Sequence, residues 1–223
     1  MQNHGNDAGI RGPASVESSL DKMLAAPGID DTACRAQSDG CDAVVNNCML
    51  DPALEATRKA LTIPVIGAGE AGMKAAAKFG KFSVVTVLQR QEPAFLRLAR
   101  QYELSEDLVS VQGIGISVLD IERTRTTSIK ATIRGAQTSS DNDGAKAIVF
   151  GCTGMLGYAK PTAKALGWPV ERVIDPLMNA IEIACQAVRV AEKTEKCAHP
   201  SPDRKAVVGF ESWAALNDLM GLR

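Results

Sequence analysis

The sequence predicts an α/β protein built as two pseudo-symmetric halves, each a mainly parallel sheet flanked by helices. Three observations carry this reading. Short aliphatic runs of strand length alternate with longer stretches of helical spacing. Two of these strand–helix stretches match each other: "AVVNNCMLDPALEATRKALTIPV" (residues 43–65) lies over "AIVFGCTGMLGYAKPTAKALGWPV" (residues 147–170). Each begins Ala, aliphatic, Val, two residues, Cys, and each closes on Ala-Leu, two residues, Pro-Val. The third observation is that the cysteine stands at the same place in both, where an apolar strand gives way to small or polar residues.

In chain order, residues 43–45 form a strand leading into Cys48, and Leu54, Arg58 and Leu61 share related faces of a helix over residues 52–61. Residues 64–66 are a short apolar run that ends in "GAGEAG", and the Ala-rich stretch 73–79 is helical. "FSVVTVL" (residues 82–88) is the clearest strand, and residues 93–102 after it are helical. Residues 108–118 are rich in β-formers, residues 121–137 have helical spacing despite their β-branched content, and residues 141–144 signal a turn. Ala147–Phe150 is the strand of the second matching unit, followed by a helix over residues 160–166. Val173–Ile174 is a short strand, and residues 176–192 make a long helix. The letters Gly67-x-Gly69-x-x-Gly72 fit a dinucleotide fingerprint, but Glu70 would stand where a pyrophosphate must lie. A tight strand-to-helix turn beside the cleft is the expected role of this stretch.

Composition bounds the function. The chain has 223 residues, 45% hydrophobic and 23% charged, enough for a packed core. A net charge of −1 with no basic run gives no nucleic-acid footprint, and no apolar run reaches membrane-span length. The N-terminus lacks the apolar stretch of a signal peptide, so a cytoplasmic protein is expected. Six cysteines form no CxxC pair, which removes zinc spacing and, in a reducing compartment, structural disulfides. The two histidines, His4 and His199, lie in polar terminal stretches, so most triads and metal sites are excluded.

In open α/β sheets, ligands bind beyond the carboxyl ends of strands. If the halves face each other, Cys48 and Cys152 flank one cleft from opposite sides. Each is also expected to lie just before a helix, whose N–H groups and dipole would favour a thiolate. Two thiols facing across a carbon suit the removal of a proton from one face and its return to the other, which is cofactor-free racemisation by general acid–base catalysis. Cys34, Cys41 and Cys197 stand in polar context and Cys185 on the long helix faces core, so none of these is expected to act.

Five motifs then resemble, in order and spacing, the hydantoin/allantoin racemases of the aspartate/glutamate racemase superfamily. They are "GPASVES" (residues 12–18), "CMLDPAL" (48–54), "PVIGAGEAG" (64–72), "FSVVTVL" (82–88) and "FGCTGM" (150–155). The likeness spans residues 11–192. It implies two lobes related by a pseudo-dyad, with the active site in the cleft between them. One lobe would take residues 1–81 with 174–223 and the other residues 82–173. It implies two-cysteine racemisation of a 5-substituted hydantoin or an allantoin-like ring, with neither metal nor pyridoxal cofactor. Cys48 and Cys152 take the acid and base roles; Asn47, Met49, Gly151, Thr153 and Gly154 supply walls and backbone donors to an enolate oxygen. A small-molecule substrate and a homo-oligomer are expected, with no nucleic acid or membrane as partner.

Two departures from the resemblance bear on this. The amino-acid racemases resemble Cys-Asn-Thr at the first cysteine and Cys-Thr followed by an acid or histidine at the second. Cys48-Met49-Leu50 and Cys152-Thr153-Gly154 lack part of that carboxylate clamp, which favours a neutral ring. The family also resembles a start of β-strand then Asn-Pro-Asn-Thr, and no such run precedes residue 12, so either the true start lies upstream or the first lobe is short of one strand. The alternatives are an aspartate- or glutamate-type amino-acid racemase, a decarboxylase or isomerase using one cysteine, and a truncated homologue that binds a small molecule without turnover.

Overall fold

The computed structural model describes residues 12–194, with side chains described to Val190; His4, Cys197 and His199 lie outside the described residues. Two parallel sheets, both flanked by helices, form the protein. The chain enters through helix α1 (Ser19–Ser38), which precedes the first strand β1 (Val44–Asn46). Helix α2 (Leu54–Ala60) leads to strand β2 (Val65–Gly67), which pairs with β1 in a two-stranded sheet. Helix α3 (Ala68–Ala77) starts at the very next residue, so "GAGEAG" is the expected strand-to-helix turn.

The second sheet has four strands in the order β4-β3-β5-β6, all parallel: β3 (Phe82–Thr86), β4 (Leu108–Gly113), β5 (Ala147–Phe150) and β6 (Val173–Ile174). Helices α4 (Glu92–Gln101), α5 (Arg125–Asp141) and α6 (Ala159–Leu166) make the crossovers. The central strands β3 and β5 are buried at every residue, as expected of continuous aliphatic runs covered on both faces. After β6 the chain returns as helix α7 (Pro176–Thr194), packed on α3, β1 and β2. Gly72 sets the distance between the sheets. A Cβ there would come within 2.8 Å of Pro176 and 3.1 Å of Val149 on β5, so only glycine lets α3 lie this close.

Three sequence expectations need correction. The first is α1, a twenty-residue helix that the apolar spacing does not announce. Its exposed first half carries Leu20, Met23 and Leu24, and Pro27 and Gly28 interrupt its middle, which blurs any single apolar face. The second concerns two cysteines: Cys34, read as lying in polar context, is buried on this helix against Leu54, Leu61 and Val65. Cys185, expected in core, is only partly buried on α7. The third is the fifth helix, which begins at Arg125 rather than 121: a 3-10 turn over Val118–Asp120 runs on into a turn over residues 121–124.

Candidate active site

Strand β1 ends at Asn46 and strand β5 at Phe150, so Cys48 and Cys152 both lie just past the carboxyl ends of parallel strands. Each cysteine opens a tight turn of the same form. Asp51 N–H donates to the Cys48 carbonyl at 3.0 Å, and Met155 N–H donates to the Cys152 carbonyl at 3.1 Å. Within each turn the N–H two residues on, from Leu50 or Gly154, reaches the cysteine sulfur and favours its thiolate. The sequence repeat is therefore also a repeat of local geometry.

The two turns meet. Thr153 Oγ1 donates to the Asn47 main-chain carbonyl at 3.2 Å, joining the residue after Cys152 to the residue before Cys48. Both cysteines are half-buried, and a thiolate at Cys152 disfavours one at Cys48.

The remaining expected residues divide. Asn47 and Gly154 are exposed and Thr153 is half-buried, all at the rim. Gly151 is buried: its N–H donates to Val85 carbonyl at 2.7 Å, and its carbonyl accepts from Thr86 Oγ1 at 3.2 Å. Thr86 also donates to Gln91 Oε1 at 2.7 Å, so β3 fixes the residue from which Cys152 hangs. Met49 does not line an open wall; it is 2% exposed, packed into the core behind Cys48 with Leu50, Met73 and Phe95. The Gly154 N–H, expected as a donor to substrate, is directed at Cys152 sulfur instead.

A further correction concerns the helices. Neither cysteine sits at a helix N-terminus: α2 begins at Leu54 and α6 at Ala159, each after an intervening turn. Burial dominates both thiols and pushes them upward, Cys48 to about 12 and Cys152 in the same direction. A buried thiol ionises less readily, but the thiolate formed is a stronger base towards carbon.

Sequence reasoning missed the charged groups around the cysteines. Asp51, on the Cys48 turn, is 4% exposed, with burial raising its carboxyl to about 6. Its Oδ1 accepts from Gly69 N–H at 3.0 Å, and its Oδ2 accepts from Glu70 N–H at 2.7 Å and Tyr102 O–H at 2.6 Å. Asp51 thus caps α3, and the glycines of "GAGEAG" make room for it: a Cβ on Gly67 or Gly69 would stand 2.6 Å from a carboxylate oxygen. Glu70, the acid that spoils the dinucleotide fingerprint, is bound to Arg58 at 2.7 Å and Lys74 at 2.5 Å. Lys22 on α1 adds positive charge towards Cys48 and Asp51. Glu17 faces Cys152 and is itself held by an ion pair with Arg90 at 2.8 Å and by Val118 N–H at 2.8 Å. One sequence signal could have placed Glu17 and Lys22: Ser18-x-x-Asp21 is a helix-start box, and Ser18 Oγ does accept from Asp21 N–H at 3.1 Å.

Beside the Cys48 turn lies a cavity of about 220 Å³ lined by Lys22, Leu50, Arg97 and Gln101 among others. Among the described residues no group of three or more His, Cys, Asp or Glu is arranged to hold a metal, and no helix is long and apolar enough to cross a membrane.

Comparison with known proteins gives consistent matches. The Asp/Glu/Hydantoin racemase family model matches residues 7–184. A hydantoin racemase of Pseudomonas sp. (strain NS671) is 33% identical over 200 residues, covering 89% of this chain and 79% of that protein. One from Paenarthrobacter aurescens is 31% identical over 198 residues, covering 87% and 83%. Among solved structures, allantoin racemase from Klebsiella pneumoniae superimposes with a TM-score of 0.80 at 29% identity, covering 91% of this chain and 82% of that one. Glutamate racemase from Francisella tularensis, at 16% identity and a TM-score of 0.57, shares the fold, covering 94% and 80%.

Proposed function

The chain belongs to the Asp/Glu/hydantoin racemase family, and we propose that it racemises the ring carbon of a 5-substituted hydantoin or an allantoin-like ring by proton transfer between Cys48 and Cys152. The observation that carries the proposal is the Thr153–Asn47 bond, which joins two cysteine turns of one form. In the reaction, the thiolate of one cysteine takes the hydrogen from the ring carbon, and the electron pair moves onto the adjacent carbonyl oxygen. The thiol of the other cysteine then delivers its proton to the opposite face. The two thiols exchange roles with the direction of reaction, and no electrons are gained or lost.

One feature supports this assignment over an amino-acid substrate. Met49 and Leu50 follow the first cysteine with apolar, core-facing side chains, where a carboxylate would want donors. The same reading divides the chain into a lobe of residues 1–81 with 174–223 and a lobe of residues 82–173. The five described cysteines are free, which suits a reducing cytoplasm.

Polarimetry on an enantiopure 5-alkyl hydantoin tests the proposal. Optical rotation is expected to decay to zero faster than in buffer alone; a folded sample that leaves the spontaneous rate unchanged overturns it.

A further inference from the structure

We propose that Asp51 makes the two thiols unequal: its buried carboxylate, on the Cys48 turn, disfavours a second negative charge at Cys48 and leaves Cys152 as the thiol that ionises first.

The internal repeat exposes the difference. The residue three positions after each cysteine closes the turn with its N–H in both halves, yet its side chain is Asp51 in one and Met155, 1% exposed, in the other. The carboxylate is held by neutral donors alone, namely Gly69 N–H, Glu70 N–H and Tyr102 O–H, and among the described residues no Lys or Arg forms an ion pair with it. It therefore keeps its charge once ionised. Around it, α3 presents Glu70, tied to Arg58 of α2 and to Lys74. Tyr102 caps the end of α4, with the Lys74 ammonium 6.0 Å from its ring, and α1 presents Lys22. Cys48 is the titratable group on its own turn, with Cys152 beyond it. Lys22 opposes Asp51 at Cys48 without pairing with it. Glu17, the acid facing Cys152, is paired with Arg90 at 2.8 Å, whereas Asp51 has no such partner among the described residues. Asp51 is thus a positioning residue, acting on the substrate only through Cys48.

The consequence is hidden from ordinary kinetics. A racemisation has an equilibrium constant of unity, so kcat/KM must be the same in both directions whatever the thiols prefer. After a turnover begun by Cys152, Cys48 is left as the thiolate, and a proton returns to it from water as Cys152 loses its own. The inequality has to be read on the thiols.

The proposal rests on the two-thiol reading of the site, but its test uses no substrate, so either can fail while the other stands. Iodoacetamide labelling of the full chain is followed across pH, peptide by peptide, by mass spectrometry, and the midpoint for each cysteine is recorded. In the unaltered protein the Cys152 midpoint is expected below that of Cys48. Asp51→Asn is expected to lower the Cys48 midpoint by about one pH unit, a tenfold gain in thiolate at fixed pH, leaving Cys152 in place. Should that variant not fold, Lys22→Met leaves the turn intact and is expected to raise the Cys48 midpoint. Equal or reversed midpoints in the unaltered protein, joint movement of both in Asp51→Asn, or an unmoved Cys48 in either variant overturns the proposal.

Discussion

Thr153 Oγ1 donates to the carbonyl of Asn47 across 3.2 Å, so the residue following one cysteine is bonded to the residue preceding the other. This is a side chain-to-backbone contact between positions more than a hundred residues apart, and it bridges the ends of two separate sheets. It joins the two cysteine turns without involving either sulfur. Thr153→Val keeps the shape and removes the donor, and it is expected to lower kcat/KM about three- to tenfold, the worth of one modest hydrogen bond. Thr153→Ser is expected to stay within twofold. Equal losses in both variants would show that the methyl group, not the bond, matters.

The rate should rise with pH. Burial holds both thiols above their ordinary range, Cys48 at about 12, so near neutrality the form with one thiolate and one thiol is scarce. Below the first thiol titration, each unit of pH adds at most about tenfold to that form. Polarimetric kcat/KM from pH 7 to pH 9, corrected for the spontaneous reaction, is expected to increase throughout. A fall across that interval would mean that the reacting base is not a raised thiol.

Asp51 makes stability depend on pH in an unusual direction. Its carboxyl is raised on folding from 3.8 to about 6, so the native state holds the proton more tightly than the unfolded chain. This contribution is fully present below pH 4 and is lost as pH rises through 6. The rise corresponds to about 3 kcal/mol at most. Denaturant midpoints should therefore shift in favour of Asp51→Asn, relative to the parent, as pH goes from 4 to 7. A constant difference between the two proteins would contradict the raised carboxyl.

Much of this architecture was legible in the sequence because it is local. Aliphatic runs such as Phe82–Thr86 and Ala147–Phe150 can only be buried strands when helices cover both faces, and the repeated cysteines mark strand ends whatever the tertiary arrangement. What escaped was set by distance or by mixed signals. Asp51 meets Tyr102 from across 51 positions, and nothing in "CMLDPAL" says that its acid turns inward to cap α3. The thiolate-favouring helix ends failed for a local reason: Asp51 and Ala53 adopt positive φ of 44° and 57°, which delays α2 until Leu54. Helix α1 was obscured by Pro27 and by exposed leucines, although its Ser18–Asp21 start was readable.

Two glycines beside Cys152 should behave differently. A Cβ at Gly151 collides with the buried Thr86 side chain and backbone, and the central strand cannot yield. Gly151→Ala is expected to cost about 1–3 kcal/mol of stability and to displace Cys152. A Cβ at Gly154 meets only Cys152 sulfur at 3.4 Å and Ile121 at 4.0 Å, so Gly154→Ala should unfold with the parent. Thermal unfolding of the two variants side by side checks this, and equal midpoints would contradict the close approach at Gly151.

The measurement that bears most directly on the two-thiol account is hydrogen exchange at the ring carbon in deuterated water, with Cys48→Ser and Cys152→Ser each offered both enantiomers of a 5-alkyl hydantoin. A serine hydroxyl is too weak an acid to serve as a thiolate base, so each variant keeps one working face. Racemisation is expected to fall by at least about a thousandfold in both, on the scale of losing a general acid or base. Each should still exchange the hydrogen of one enantiomer by NMR, and the two variants should select opposite enantiomers. Racemisation near the parent rate in either variant, or the same enantiomer exchanged by both, would contradict one thiol per face.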